Sequence, residues 1–457
     1  MPRGICLKWL AGPLPVFIII FLFRLNPVSA QQFIRGKVVA ADNNKPLAGV
    51  SIFISNTSKG TVTDEKGEFT LYNIPSGKYV LVISDVGYQT DLESIDSREL
   101  KPFYAISMRT KVSELGEVTV RAFDKNGWRK WGELFRENFV GTSTFAKRCK
   151  ILNPEAVRIY YGKTKRILTA YSEGPMLIEN RALGYLLQVN LENFRYDMVS
   201  GEFEYSIFPL FKELSGSPKE KAKWLQNREI AYYGSSLHFY RALFNNRVAE
   251  EGFSLRMLGR RDSVMVSRIK AALRGTLQAA APAETAGGAV TQRPPESSLD
   301  KETLAEYDAV LNKNQEGNLV EYPGQIAPDG LIAGRDSSAF VLYFDQVVNV
   351  TYLHRRPPDE YYNDVVIDPS NPESRHKVSV SRKAVGGMST QLELKRGFPI
   401  EVFANGSYMN SDLVYSGFWS WWLKMGTLLP YDYQPPAPMP GPGEPSPGQT
   451  GPTHEAN

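Results

Sequence analysis

Only four histidines and two cysteines occur in 457 residues, and that scarcity closes off several chemistries. The residues three places beyond His238, His354, His376 and His454 are Arg241, Pro357, Ser379 and Asn457, so no His-x-x-Glu pair exists. A catalytic zinc ion takes three protein ligands and keeps one position open; neither that pair nor an HExxH helix is present to supply them. No cofactor and no metal are expected. Cys6 lies ahead of an N-terminal apolar run and would leave with it, so Cys149 stands alone and no intramolecular disulfide can form. Within Phe145–Leu152, Cys149 is expected to be a buried, inert thiol. An excess of one charge is missing too. The net charge is +4, and Arg3, Lys8 and Arg24 carry three of those charges, so a processed chain would be nearly neutral. Such a surface has no field to attract nucleic acid. The phosphate cradle also fails: Gly162-Lys163-Thr164 ends like a P-loop, but the first glycine would fall at Val157.

Long apolar runs are few. The run Leu14–Phe23 is about half the ~20 residues that span a bilayer, and Arg24 closes it. With Arg3 and Lys8 before it and Val28-Ser29-Ala30 after it, residues 1–30 read as a secretory signal cleaved after Ala30. An exported chain of this size without disulfides suits a bacterial envelope, in the periplasm or at the outer membrane. No transmembrane span is expected in the mature chain.

What the chain does have begins at Gln32. Val50, Ile52 and Ile54 alternate with Ser51, Phe53 and Ser55, and Tyr79, Leu81 and Ile83 with Lys78, Val80 and Val82. A period of two places one face of each strand in a core. Thr63–Gly67 reads as a hairpin turn; Asp64 and Glu65 alone fall short of the six or more oxygens that calcium takes. About seven strands at this spacing make a sandwich. The segment 32–121 resembles the carboxypeptidase-regulatory-like domain, a transthyretin-like β-sandwich of bacterial envelope proteins. Leu115–Val120 looks like the strand that closes such domains in TonB-dependent receptors. The regular alternation of a large receptor barrel does not follow, so a transporter is not expected.

The fold class is therefore multidomain: an N-terminal all-β transthyretin-like sandwich followed by an α+β body. Residues 123–270 form the first part of that body. Trp128, Trp131, Phe135 and Phe139 recur at helical spacing, and Tyr185–Asp197 and Glu202–Phe211 read as a long hairpin. Pro218 opens a helix to about Tyr233, and Ser235 or Ser236 caps a second through Phe244. Residues 271–298 are low-complexity linker. Residues 299–433 start with a short helix, continue through strands near Ala339–Leu353 and Lys377–Lys395, and end in a terminal aromatic helix, Gly417–Leu429. Residues 434–457 form a Pro- and Gly-rich tail expected to be disordered. The whole order resembles Bacteroidetes-type carboxypeptidase-like regulatory domain proteins of the envelope, a resemblance that implies no reaction.

Two clusters remain as candidate sites. Arg228, Tyr232, Ser235, Ser236, His238 and Arg241 gather at the corner between the two helices. Gly234–His238 nearly spells a nucleophile elbow, but His238 replaces its last glycine, and the segment before it is helical where an elbow needs a strand. The corner is open to three readings: a helix cap with internally packed rings, a ligand-binding corner, or a hydrolase site. Trp419, Trp421 and Trp422 are the second cluster, readable as a buried terminal helix or as a surface for a membrane or partner. The expected function is non-catalytic binding of an envelope protein partner, with a glycan or peptide as the alternative ligand.

Overall fold

The computed structural model describes residues 32–111, 124, 126–260, 319–321, 324–368, 371–379, 386–408 and 412–436. The expected secretory signal, closing strand Leu115–Val120, linker and short helix after Leu299, and most of the Pro/Gly-rich tail, lie outside them.

Seven strands between Phe33 and Met108 build two sheets. One runs Gly60–Val62, Ser51–Ile54, Lys78–Ser84, Asp91–Asp96; the other runs Glu68–Tyr72, Phe33–Ala40, Tyr104–Met108. Ile34, Val38, Ile52, Ile54, Leu81 and Ile83 fill the space between them, as the period-two pattern requires. Phe53 and Val82, on the opposite face, are also fully buried, because Leu210 of the body packs on them. The turn forms by the expected means. Asp64 Oδ1 accepts from the amides of Lys66 and Glu68, and Gly67 sits at φ +72°. A Cβ on Gly67 would come within 2.4 Å of the Val38 carbonyl oxygen.

The body opens with a six-stranded sheet whose centre is Tyr185–Asp197, paired along one side with Phe203–Glu213. Gly201, at φ +75°, closes the turn between them. The helix Gly127–Phe139 lays Leu134, Phe135 and Phe139 on this sheet, with the Phe135 ring 5.0 Å from both Phe139 and Phe194. A second sheet of five strands runs Leu319–Glu321, Phe253–Arg260, Val347–Tyr352, Met388–Leu394, Leu413–Gly417. Phe253–Arg260 precedes the low-complexity stretch and Val347–Tyr352 follows it, so residues from both sequence regions share one sheet.

Three expected elements are cut differently. Ala339–Leu353 is two strands, Ala339–Leu342 and Val347–Tyr352, because the chain crosses between sheets at Tyr343–Gln346. Lys377–Lys395 is likewise divided between Asn371–Ser379 and Met388–Leu394, the first paired with Asn363–Asp368 and the second with Val347–Tyr352. The terminal aromatic helix covers only Phe418–Trp422. Beyond it, the amides of Met425 and Gly426 donate to the carbonyls of Phe139 and Val140, at the C-terminal end of the helix Gly127–Phe139. Those carbonyls have no partner within their own helix, and satisfying them unwinds the terminal segment.

Sandwich and body meet edge to edge. Asn56 donates its amide to the Pro209 carbonyl, and Phe211 donates to Thr57, so the sandwich turn extends the body's six-stranded sheet. Tyr431 N–H donates to Asn56 O, and the Asp432 carboxylate accepts from Ser58, which fastens the C-terminal segment to the same turn.

Candidate functional site

The two helices at the corner end as their sequences direct. Ser217 and Glu220 form a reciprocal capping box for the helix Pro218–Tyr232. Ser235 caps the helix Ser236–Phe244 by accepting from the His238 amide at 3.3 Å. The Ser235 hydroxyl is thus occupied at the helix end, and Ser236 is half-buried one position on.

His238 is 3% exposed and has both ring nitrogens engaged. Nδ1 accepts from the Gly234 amide at 3.1 Å, so the ring proton belongs on Nε2, which faces Glu251 Oε2 at 3.2 Å. Burial pushes the His238 pKa below the usual histidine range, and Glu251 opposes that shift. In this arrangement neither nitrogen is available to take a proton from a serine. The arginines of the corner are engaged with the chain itself. Arg228 donates to Leu183 O and pairs with Glu213 at 2.7 Å over the face of Tyr185. Arg241 donates to three backbone carbonyls, those of Asn405, Tyr431 and Tyr433. Tyr232 is buried between His238 and Tyr433.

The tryptophans divide. Trp419 is 1% exposed and its indole N–H donates to Gly234 O, which ties the terminal segment to the helix corner. Trp422 is buried against Phe145 and Phe418. Neither offers the surface that a membrane or partner reading requires. Trp421 is half-buried, and its N–H is shared between Thr142 Oγ1 (3.1 Å) and Asp364 Oδ2 (2.9 Å).

That network borders two adjoining cavities of about 280 and 340 Å³, both lined by Glu137, Thr142 and Asp364. Arg375 reaches Glu137 at 2.5 Å on the smaller side. Phe203, Trp421 and Lys424 line the larger one. Of this set, sequence reasoning had singled out Trp421 alone. Lys424 left a signal, the one charge in Gly417–Leu429, whereas Glu137 left none, since helical spacing puts it opposite Trp128, Phe135 and Phe139 and beside Lys130 and Glu133. Among the described residues, no group of three or more His, Cys, Asp or Glu is placed to hold a metal ion, and no helix is long and apolar enough to cross a membrane.

A TonB-dependent receptor of Formosa agariphila is 30% identical over 128 residues, which are 27% of this chain and 11% of the receptor. The chain therefore spans about a tenth of that relative. Among solved structures, a type II cohesin–X-dockerin complex from Acetivibrio cellulolyticus shares 23% identity over 17% of this chain and 58% of the other, with a TM-score of 0.16. A 9R-lipoxygenase from Cyanothece PCC8801 shares 11% over 51% of this chain and 52% of its own, at 0.15. Scores that low carry no argument about fold or function. The family comparison is specific: residues 34–120 match the CarboxypepD_reg-like domain, and the seven strands Phe33–Met108 are the greater part of that domain.

Proposed function

We propose that this is an exported, non-catalytic protein of the bacterial envelope, in which the CarboxypepD_reg-like domain presents a binding surface for a protein partner. The receptor relative and the regulatory-like family support the envelope setting and the absence of a reaction. One observation carries the binding: Phe33 and Tyr72 pack on each other, centroids 6.2 Å apart, yet remain 46% and 56% exposed. They lie where Phe33–Ala40 pairs with Glu68–Tyr72, and the outer edge of Glu68–Tyr72 has no ladder partner among the described residues. An open edge accepts an added strand, and aromatic residues beside it supply the side-chain anchors of an interface. Crosslinking in intact cells tests this. A discrete heteromeric band is expected, weakened by Tyr72→Glu and by deletion of residues 32–121. A band unchanged by both would exclude this edge as the interface and move the search to residues 123–433.

A further inference from the structure

Lys424 is the one charged residue in the aromatic terminal segment, and the fold buries it. It is 6% exposed, and its amine rests 3.1 Å from the centroid of the Phe203 ring. Among the described residues, no carboxylate or carbonyl accepts a hydrogen bond from it. The chain also makes room for it: Gly141, at φ +106°, lies so close that a Cβ there would meet the Lys424 stem at 3.1 Å. Lys424 also lines the 340 Å³ cavity described above, so a group whose one close partner is the Phe203 ring stands beside a space of ligand size. An ammonium ion without a counter-charge is costly in such a place. Burial accordingly pushes the Lys424 pKa well below the usual lysine range, a shift that favours the neutral amine.

We propose that this cavity is a covalent ligand site at which the Lys424 amine adds to the carbonyl carbon of a small uncharged aldehyde or ketone. Glu137 and Asp364 line the same cavity and disfavour an anionic ligand, while Phe203 and Trp421 offer an apolar wall to its body. The lone pair forms the C–N bond as the carbonyl π bond breaks, and one amine proton passes to the oxygen to give a carbinolamine. That oxygen then leaves as water with the second amine proton, giving an imine that hydrolysis reverses without any electron transfer. This site is independent of the partner surface at Phe33 and Tyr72.

Glycolaldehyde is the probe, with cyanoborohydride to trap the imine and peptide mass spectrometry to read each lysine on the intact folded protein. An exposed lysine near its ordinary pKa of about 10.4 gains roughly tenfold in rate per pH unit around neutrality. Lys424 is expected to react about tenfold or more faster than the median exposed lysine at pH 7, with a shallower pH dependence. Ser420→Phe, which fills the cavity, should slow Lys424 and leave exposed lysines unchanged. Labelling of Lys424 at or below the rate of exposed lysines would overturn the proposal, as would labelling indifferent to Ser420→Phe.

Discussion

Replacing Arg241 with methionine keeps most of the buried stem and removes the guanidinium that holds three distant segments together. Its Nε donates to Asn405 O at 2.9 Å, Nη1 to Tyr433 O at 2.9 Å and Nη2 to Tyr431 O at 3.0 Å. Asn405 in turn donates to Ser76 O in the sandwich, and Tyr431 donates to Asn56 O. One side chain on the helix Ser236–Phe244 thus braces two of the contacts by which the body holds the sandwich. Hydrogen bonds to a charged group contribute about 1.5–3 kcal/mol each, or roughly 5–9 kcal/mol for three. Removing the guanidinium also removes its own desolvation cost, several kcal/mol for an ion 7% exposed, so the expected net loss is about 3–5 kcal/mol. A multidomain chain need not unfold in one step, so the assay is amide hydrogen exchange rather than a single melting curve. Arg241→Met should speed exchange at Tyr431 and Phe211 by more than tenfold while leaving Ile52 and Leu81 in the sandwich core protected. Unchanged exchange at Tyr431 would refute the bracing role and with it the reasoning from carbonyl count.

How far the sequence discloses this fold depends on the range of the force that decides each element. The alternation in Val50–Ile54 and Tyr79–Ile83 and the cap at Ser235 are settled within a few residues, and all are legible. Phe53 and Val82 have the pattern of an outward face and are buried, because Leu210, more than a hundred residues away, covers them. The helix expected over Gly417–Leu429 stops at Trp422 for a similar reason. Its hydrophobic periodicity permits thirteen residues, but the unpaired carbonyls of Phe139 and Val140 take the next amides. His238 was visible as a rare residue, yet its partner Glu251 is thirteen residues on and beyond the helix, where spacing rules no longer apply. The cavity is less legible still, since residues 137–142, 361–366 and 417–424 meet only once both sheets have formed. Its one trace is a single charge in apolar company, Lys424, and such a residue marks where a distant part of the chain will supply the surroundings.

Gly67→Val should destabilise the sandwich by at least about 1–2 kcal/mol, since a β-branched residue resists positive φ and its Cβ would strike the Val38 carbonyl. Urea denaturation of the variant checks this, and an unshifted midpoint would contradict the assigned turn. Cys149 is half-buried, less than its apolar context leads one to expect, but desolvation still pushes its thiol up to about 12, so iodoacetamide should label it slowly in the native protein at pH 8 and rapidly once urea is added. Fast native labelling would show that the thiol is accessible. His238 makes a prediction about acid. Its folded pKa lies below the unfolded value near 6.5, so between the two the unfolded chain binds the extra proton. The contribution of His238 to stability is therefore complete above about pH 6.5 and is lost as pH falls through the folded pKa. Protonation would turn Nδ1 into a second donor facing the Gly234 N–H, which removes the hydrogen bond that joins the two helices. His238→Gln should lower stability at pH 8 and flatten its fall below pH 6.5. Parallel stability curves for the two proteins from pH 8 down to pH 4 would show that some other group titrates, and the buried neutral imidazole would have to be abandoned.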